Sequence, residues 1–112
     1  MNSKEEYGSV YKILAPIFKA DHPVCEANLD GCTHKTVDIH HRARRDGIRL
    51  IMECFFLAVC RHCHDIIGVN SKMAFETGLS LNAGHFEVTS AVRLFKLNYD
   101  KEAFLKQLKE RK

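Results

Sequence analysis

Apolar residues recur at helical spacing near the start of the chain: Tyr7, Val10, Tyr11, Leu14, Ile17 and Phe18 fall on one stripe. Ser3 and Glu6 make a capping-box pattern ahead of it, and the stripe predicts a helix over residues 1–20. Gly8 weakens that helix, and Pro16 is placed to kink or end it. From Asp21 to Asp38 the pattern turns polar and irregular, with Pro23, Asn28 and Asp30-Gly31 as turn markers. Val37 to His41 is short and β-prone, and Arg42 to Gly47 reads as a charged loop. Ile48 to Val59 is then almost continuously apolar, interrupted by Arg49 and Glu53. It predicts a second strand or extended segment, although periodicity also admits a short helix.

Beyond it, Cys60-Arg61-His62-Cys63 reads as a knuckle, with a helix beginning at His64 and running to about Val69. Ser71 to Thr77 predicts another helix, with Ser71 as N-cap and Gly78 as the stop. Leu79 to Gly84 is a loop. His85 to Leu97 fits a helix through Val88, Ala91, Val92 and Phe95, and alternation only in part. Tyr99 to Lys112 gives a last helix, with Phe104, Leu105 and Leu108 on one side. No internal repeat or low-complexity tract is present.

At 112 residues the pattern describes one small domain: an N-terminal helix (1–20), a core (21–79) and a C-terminal helical extension (80–112). The composition, 46% hydrophobic and 28% charged, is ordinary for a globular protein. No apolar run approaches the roughly 18 residues that span a bilayer. The start of the chain lacks an apolar signal core, and the expectation is a cytoplasmic protein with no membrane partner. In a reducing compartment its five cysteines argue for metal rather than disulfides. Cys54 is the odd one out and reads as a buried core thiol. The net charge of +3 matters less than its distribution, since Arg42, Arg44, Arg45 and Arg49 crowd together. They form either a solvated basic face or a nucleic-acid-binding patch.

The chemistry concentrates in two cysteine pairs, Cys25-x6-Cys32 and Cys60-x2-Cys63, that bracket a His40-His41 doublet. Zinc takes four soft or borderline ligands at about 2.0–2.3 Å, so two knuckles folding together close a tetrahedral structural site. Such a site contributes ~10–16 kcal/mol of apparent binding energy in zinc-finger peptides, a decisive amount for a small core. His40, His41 and His64 could then serve a second, hydrolytic centre. Adjacent strand positions face opposite ways, so the doublet cannot be two ordinary core residues. One of them is open to a buried, hydrogen-bonded reading. His64 has bland alternatives as a helix cap or as support for the zinc site. His22, His34, His62 and His85 read as surface residues.

Thr36-Val37-Asp38-Ile39-His40-His41, then Arg45, then Cys60-x2-Cys63-His64-Asp65 resembles the HNH endonuclease family, in particular its small four-cysteine, phage-type members. Ile17 to Asp21 and Pro23-Val24-Cys25-Glu26 are similar to the lead-in of those proteins, and the resemblance covers roughly residues 11 to 79. It implies an α+β fold with a ββα-metal (His-Me finger) core, and a phage- or prophage-encoded protein acting on DNA. His40 and His64 would hold a second divalent ion, Mg2+ or Mn2+, and His41 would be the general base on the attacking water. Two positions depart from the family pattern. Phe55 stands near the place of the central asparagine, and Gly68 stands one helical turn after His64, where the family carries another histidine. The expectation is therefore an HNH-like nucleic-acid-binding protein with weak or no phosphodiester cleavage. The alternatives are an active metal-dependent endonuclease and a protein-interaction factor on the same fold.

Overall fold

The computed structural model describes residues 3–111, and the fold is α+β, mostly helical with one small antiparallel sheet. In chain order it runs α1 (Ser3–Asp21), β1 (Asp38–His41), two turns of 3-10 helix (Gly47–Ile51 and Glu53–Phe55), β2 (Phe56–Val59), α2 (Arg61–Val69), α3 (Ser71–Glu76), α4 (Phe86–Asn98) and α5 (Lys101–Arg111). The capping role expected of the Ser3 side chain lies outside the described residues, as does Lys112.

The amphipathic stripe of α1 buries Val10, Leu14, Ile17 and Phe18 as expected. Pro16 neither ends nor interrupts the helix. It sits on the exposed face, where a carbonyl that loses its N–H partner is solvated. Ile48 to Val59 departs further from expectation. Only its last four residues form a strand, and the rest winds into 3-10 turns. The reason is spacing. Ile48, Ile51, Met52 and Phe55 are all buried, and steps of three and four residues keep them on the side facing α1, which a strand would not.

β1 and β2 pair with Asp38 opposite Val59, Ile39 opposite Ala58, His40 opposite Leu57 and His41 opposite Phe56. Val37 N–H to the Val59 carbonyl (3.0 Å) and Arg42 N–H to the Phe55 carbonyl (2.8 Å) extend the pairing at both ends. The outer edge of β2 is closed by Glu26. Its backbone N–H donates to the Ala58 carbonyl (2.8 Å), and its carboxylate accepts the Ala58 N–H (2.7 Å). Both polar groups of a buried strand residue are thereby satisfied.

Two apolar clusters result. The larger gathers α1, the 3-10 turns, Ile39, Phe56 and Ala58, together with Val88, Val92 and Leu108 of the C-terminal helices. The smaller holds Cys25, Val59, Cys60, Cys63, Ile67 and Ala74. The C-terminal helices α4 and α5 thus pack into the core rather than trailing from it. Tyr99 lies edge-on to Tyr7 at 5.8 Å, and Arg111 reaches Asp21 (2.8 Å) and Glu53 (3.1 Å). α3 is capped by the Asn70 side chain on the Met73 N–H (3.3 Å), not by Ser71. Gly78 follows it at φ +80°, the expected stop. Among the described residues, no helix is long and apolar enough to cross a membrane.

Candidate metal centre and the histidine pair beside it

The first cysteine pair sits in a loop folded back on itself. Cys25 N–H bonds the His34 carbonyl (3.0 Å), Val24 bridges Lys35, and Cys32 N–H closes a turn on Leu29 (2.9 Å). Asn28 and Gly31 take positive φ, +49° and +83°, to make the reversal. At Gly31 a side chain is excluded twice, because the His62 imidazole lies where a Cβ would project. His62 Nε2 donates to the Asp30 carbonyl (2.8 Å), tying the first knuckle to the second. The second pair is placed by α2, whose N-cap is Cys60 itself, its sulfur accepting the Cys63 N–H at 3.3 Å.

All four sulfurs lie within 4.8 Å of one another, with Cys32 and Cys60 at 3.9 Å. An ion with Zn–S bonds of about 2.3 Å spaces tetrahedral sulfurs by about 3.8 Å, so the set fits a soft divalent metal such as zinc. Three of the four cysteines are buried, and backbone N–H groups aim at the sulfurs: Cys63 at Cys60, and His34 at Cys32 (3.3 Å). Burial works upward on the Cys60 thiol, but the N–H of Cys63 and bonds from Thr33 outweigh it and bring it to about 5. Burial pushes Cys63 up to about 12, and its sulfur neighbours add to the rise. Burial works upward on Cys25 as well, but hydrogen bonds from the backbone bring it down, while burial raises Cys32. Two thiols are thus favoured as thiolates and two are opposed, the situation a bound cation relieves.

The histidine doublet divides between the faces of β1. His40 points to the side of α2, where its ring lies 5.7 Å from that of His64. Its Nε2 shares a hydrogen bond with Ser80 Oγ (3.0 Å). Burial, then the neighbouring His64, lowers its pKa below the usual histidine range. His64 Nδ1 donates to Asp38 Oδ2 (3.1 Å), and Arg61 holds the other carboxylate oxygen (3.1 Å). A histidine bonded to a carboxylate through Nδ1 keeps the Nε2 lone pair free, as metal-ligating histidines do.

His41 is turned the other way, into the main core. It packs against Phe56 (4.8 Å) and Tyr11 (5.3 Å), and its Nε2 donates to the Leu50 carbonyl (3.3 Å). Burial pushes its pKa down to about 4. His40 and His64 therefore lie on one side of the hairpin and His41 on the other. Among the described residues, the cysteine cluster is the one group of three or more ligating side chains in reach of a single ion.

Phe55 packs in the main core, and its carbonyl takes the Arg42 N–H. Gly68 is exposed, and a Cβ there would meet nothing within 4 Å. The arginine cluster also separates. Arg42 is a clasp rather than a free cation, with Nε (3.2 Å) and Nη2 (2.8 Å) on the Gly78 carbonyl and its own carbonyl on Leu81 N–H (2.7 Å). It fixes the turn that carries Ser80. Arg49 is partly buried, with its Nε enclosed and unpartnered among the described residues. Arg44, beside Asp46 (3.4 Å), and Arg45, over the Tyr11 ring (5.8 Å), are exposed. Cys54 corrects another expectation: it is exposed, turned out of the short 3-10 turn that buries Phe55.

Asp38, Ser80 and Glu26 escaped the reading of the sequence as site residues. Asp38 had a signal, two residues from His40 and so on the same face of a strand. Ser80 and Glu26 had none, because their partners are distant in sequence. Comparison of the chain with family models, with curated proteins and with solved structures gives no match.

Proposed function

We propose that this chain is an HNH-like nucleic-acid-binding module in which β1, β2 and α2 form a ββα-metal unit on a structural zinc ion, and that it cleaves phosphodiesters weakly or not at all. The observation that carries the reading is the His40–His64 pair, 5.7 Å apart between the strand and the helix that follows the second knuckle, with Asp38 orienting His64. Magnesium and manganese retain waters readily, so two imidazoles and a phosphate oxygen make a usable site for them. Such an ion, when bound, would neutralise phosphate charge. The chain's own contributions are the Nε2 of His64 and the ring of His40, with Arg44 and Arg45 exposed for neighbouring phosphates.

What supports weak or absent cleavage is what surrounds that pair. His41 lies on the opposite face with Nε2 engaged by the Leu50 carbonyl, so it cannot take a proton from a water beside His40. Gly68 offers no ligand, and Phe55 no side-chain hydrogen bond.

The test is binding of labelled DNA with a plasmid-nicking assay alongside. Two phosphate-contacting arginines give a salt slope of about −2, hence roughly tenfold weaker binding between about 50 and 200 mM salt. Nicking in magnesium or manganese should be slow or absent. Failure to bind any nucleic acid at low salt refutes the reading. Efficient nicking that His41→Ala abolishes in a folded variant refutes its reduced-centre half.

A further inference from the structure

A groove of about 910 Å³ opens beside the histidine pair, between α3, the 79–85 loop and the start of α4. Its walls are apolar, chiefly Phe55, Phe75, Leu81 and Val88, and its polar lining is mixed, with Arg44, Asn82, His85 and Glu87. Two features set it apart from an ordinary surface hollow. Phe75 leaves 54% of its surface in water on the groove wall, an aromatic face on which no ring is stacked among the described residues. Ser80 both lines the groove and bonds His40, so the groove is continuous with the proposed phosphate site.

Resting on the nucleic-acid reading above, we infer that this groove receives an unstacked base of a single strand whose phosphate lies at His40 and His64. An exposed aromatic ring is the platform on which single strands stack a base, and here one arginine, Arg44, stands beside it for the backbone. Arg44 is exposed at the groove rim, and it would exchange its solvent-exposed contact with Asp46 for the adjoining phosphate. Asn82 Oδ1 accepts the Gly84 N–H (2.9 Å), which leaves its amide N–H groups free for the edge of a base. A paired base inside a duplex cannot enter, so the groove selects single-stranded or locally opened nucleic acid.

The chain contains no tryptophan, so Phe75→Trp introduces a single indole on the groove wall. Its emission should be quenched by oligothymidylate and much less by the same strand carrying abasic sites. In anisotropy titrations, Phe75→Ala should weaken oligothymidylate binding about tenfold and leave duplex binding unchanged, since one stacked base is worth ~1–3 kcal/mol. Because Phe75 is exposed, that variant should melt with the parent. Unaltered single-strand affinity in Phe75→Ala, or equal loss for both forms, overturns the inference while leaving nucleic-acid binding intact. If the indole responds to an apolar peptide and not to oligothymidylate, the groove is a protein-docking site and the inference is likewise overturned. Absence of any nucleic-acid binding by the parent removes both readings together.

Discussion

If His41 is a core residue, acid should destabilise the protein through it. Its folded pKa is pushed down to about 4, whereas an unfolded histidine titrates near 6.5. Above pH 6.5 both states hold a neutral imidazole, and the full stability is present. As pH falls below 6.5 the unfolded chain takes up a proton that the folded chain refuses until about pH 4, so stability is lost across that window. Between pH 7.5 and 5.5 these two values give a loss of about 1.4 kcal/mol from this one side chain. Any metal held by the cysteine cluster would also be displaced by acid, so the informative quantity is a difference. Urea unfolding of the parent and of His41→Leu at both pH values should show the gap between them narrowing by about that amount on acidification. At pH 7.5 the variant should be the weaker by about 1–2 kcal/mol, because the Leu50 carbonyl is left without its partner. A gap independent of pH would mean that His41 titrates like a solvated histidine. It would then be reachable by water, and the argument against its acting as a base would collapse.

Removal of the metal by a strong chelator, or Cys60→Ser, should abolish the cooperative melt, because ~10–16 kcal/mol of metal binding rivals the whole stability of a small domain. Retention of near-ultraviolet circular dichroism in metal-free protein, with zinc loss verified by mass spectrometry, would refute this. Gly31→Ala should cost about 2 kcal/mol or more in urea unfolding, since it meets both a positive φ and the His62 ring, whereas Gly47→Ala, also at positive φ but in open space, should cost about 1 kcal/mol. Equal costs would deny the contact between the knuckles. Gly68→His should fit without strain, add a few tenths of a kcal/mol to α2, and place a third imidazole one turn from His64. Manganese binding by electron paramagnetic resonance should tighten; no change would remove His40 and His64 as a ligand pair.

The parts legible in the sequence are those decided by neighbours along the chain. The α1 stripe is read directly from Val10, Leu14, Ile17 and Phe18, and the cysteine spacing by itself locates both knuckles. Ile48 to Val59 was harder because almost every residue is apolar, which hides whether the buried subset repeats at two or at three to four. The cap of α3 passed from Ser71 to Asn70 because a helix start depends on which side chain reaches an N–H, a matter of one residue. Arg42 looked like a phosphate contact and proved to be a clasp on Gly78, since nothing local announces a carbonyl 36 residues away. Cys54 looked buried because its neighbours are, yet a 3-10 turn puts one residue in three outside.

The orientation of the doublet was legible after all, through parity. Alternation along β1 puts Asp38 with His40 on one face and Ile39 with His41 on the other. The charged member of the first pair and the apolar member of the second allow one sensible choice: Ile39 and His41 go into the core. β2 repeats the pattern in register, with Phe56 and Ala58 in the main core while Leu57 and Val59 pack against the cysteine cluster. The hairpin is thus a partition between two cores, and each of its faces is fixed by residues that cannot change sides. Turning His41 outward would require a one-residue slip of β1 that buries Asp38, breaks its bonds to His64 and Arg61, and exposes Ile39. The same partition ties the histidine pair to the metal. His64 follows Cys63 in the first turn of α2, and that turn is held by Cys60 as its cap. Loss of the metal would release the helix start and with it the position of His64 opposite His40, so the cysteines govern the pair without touching it.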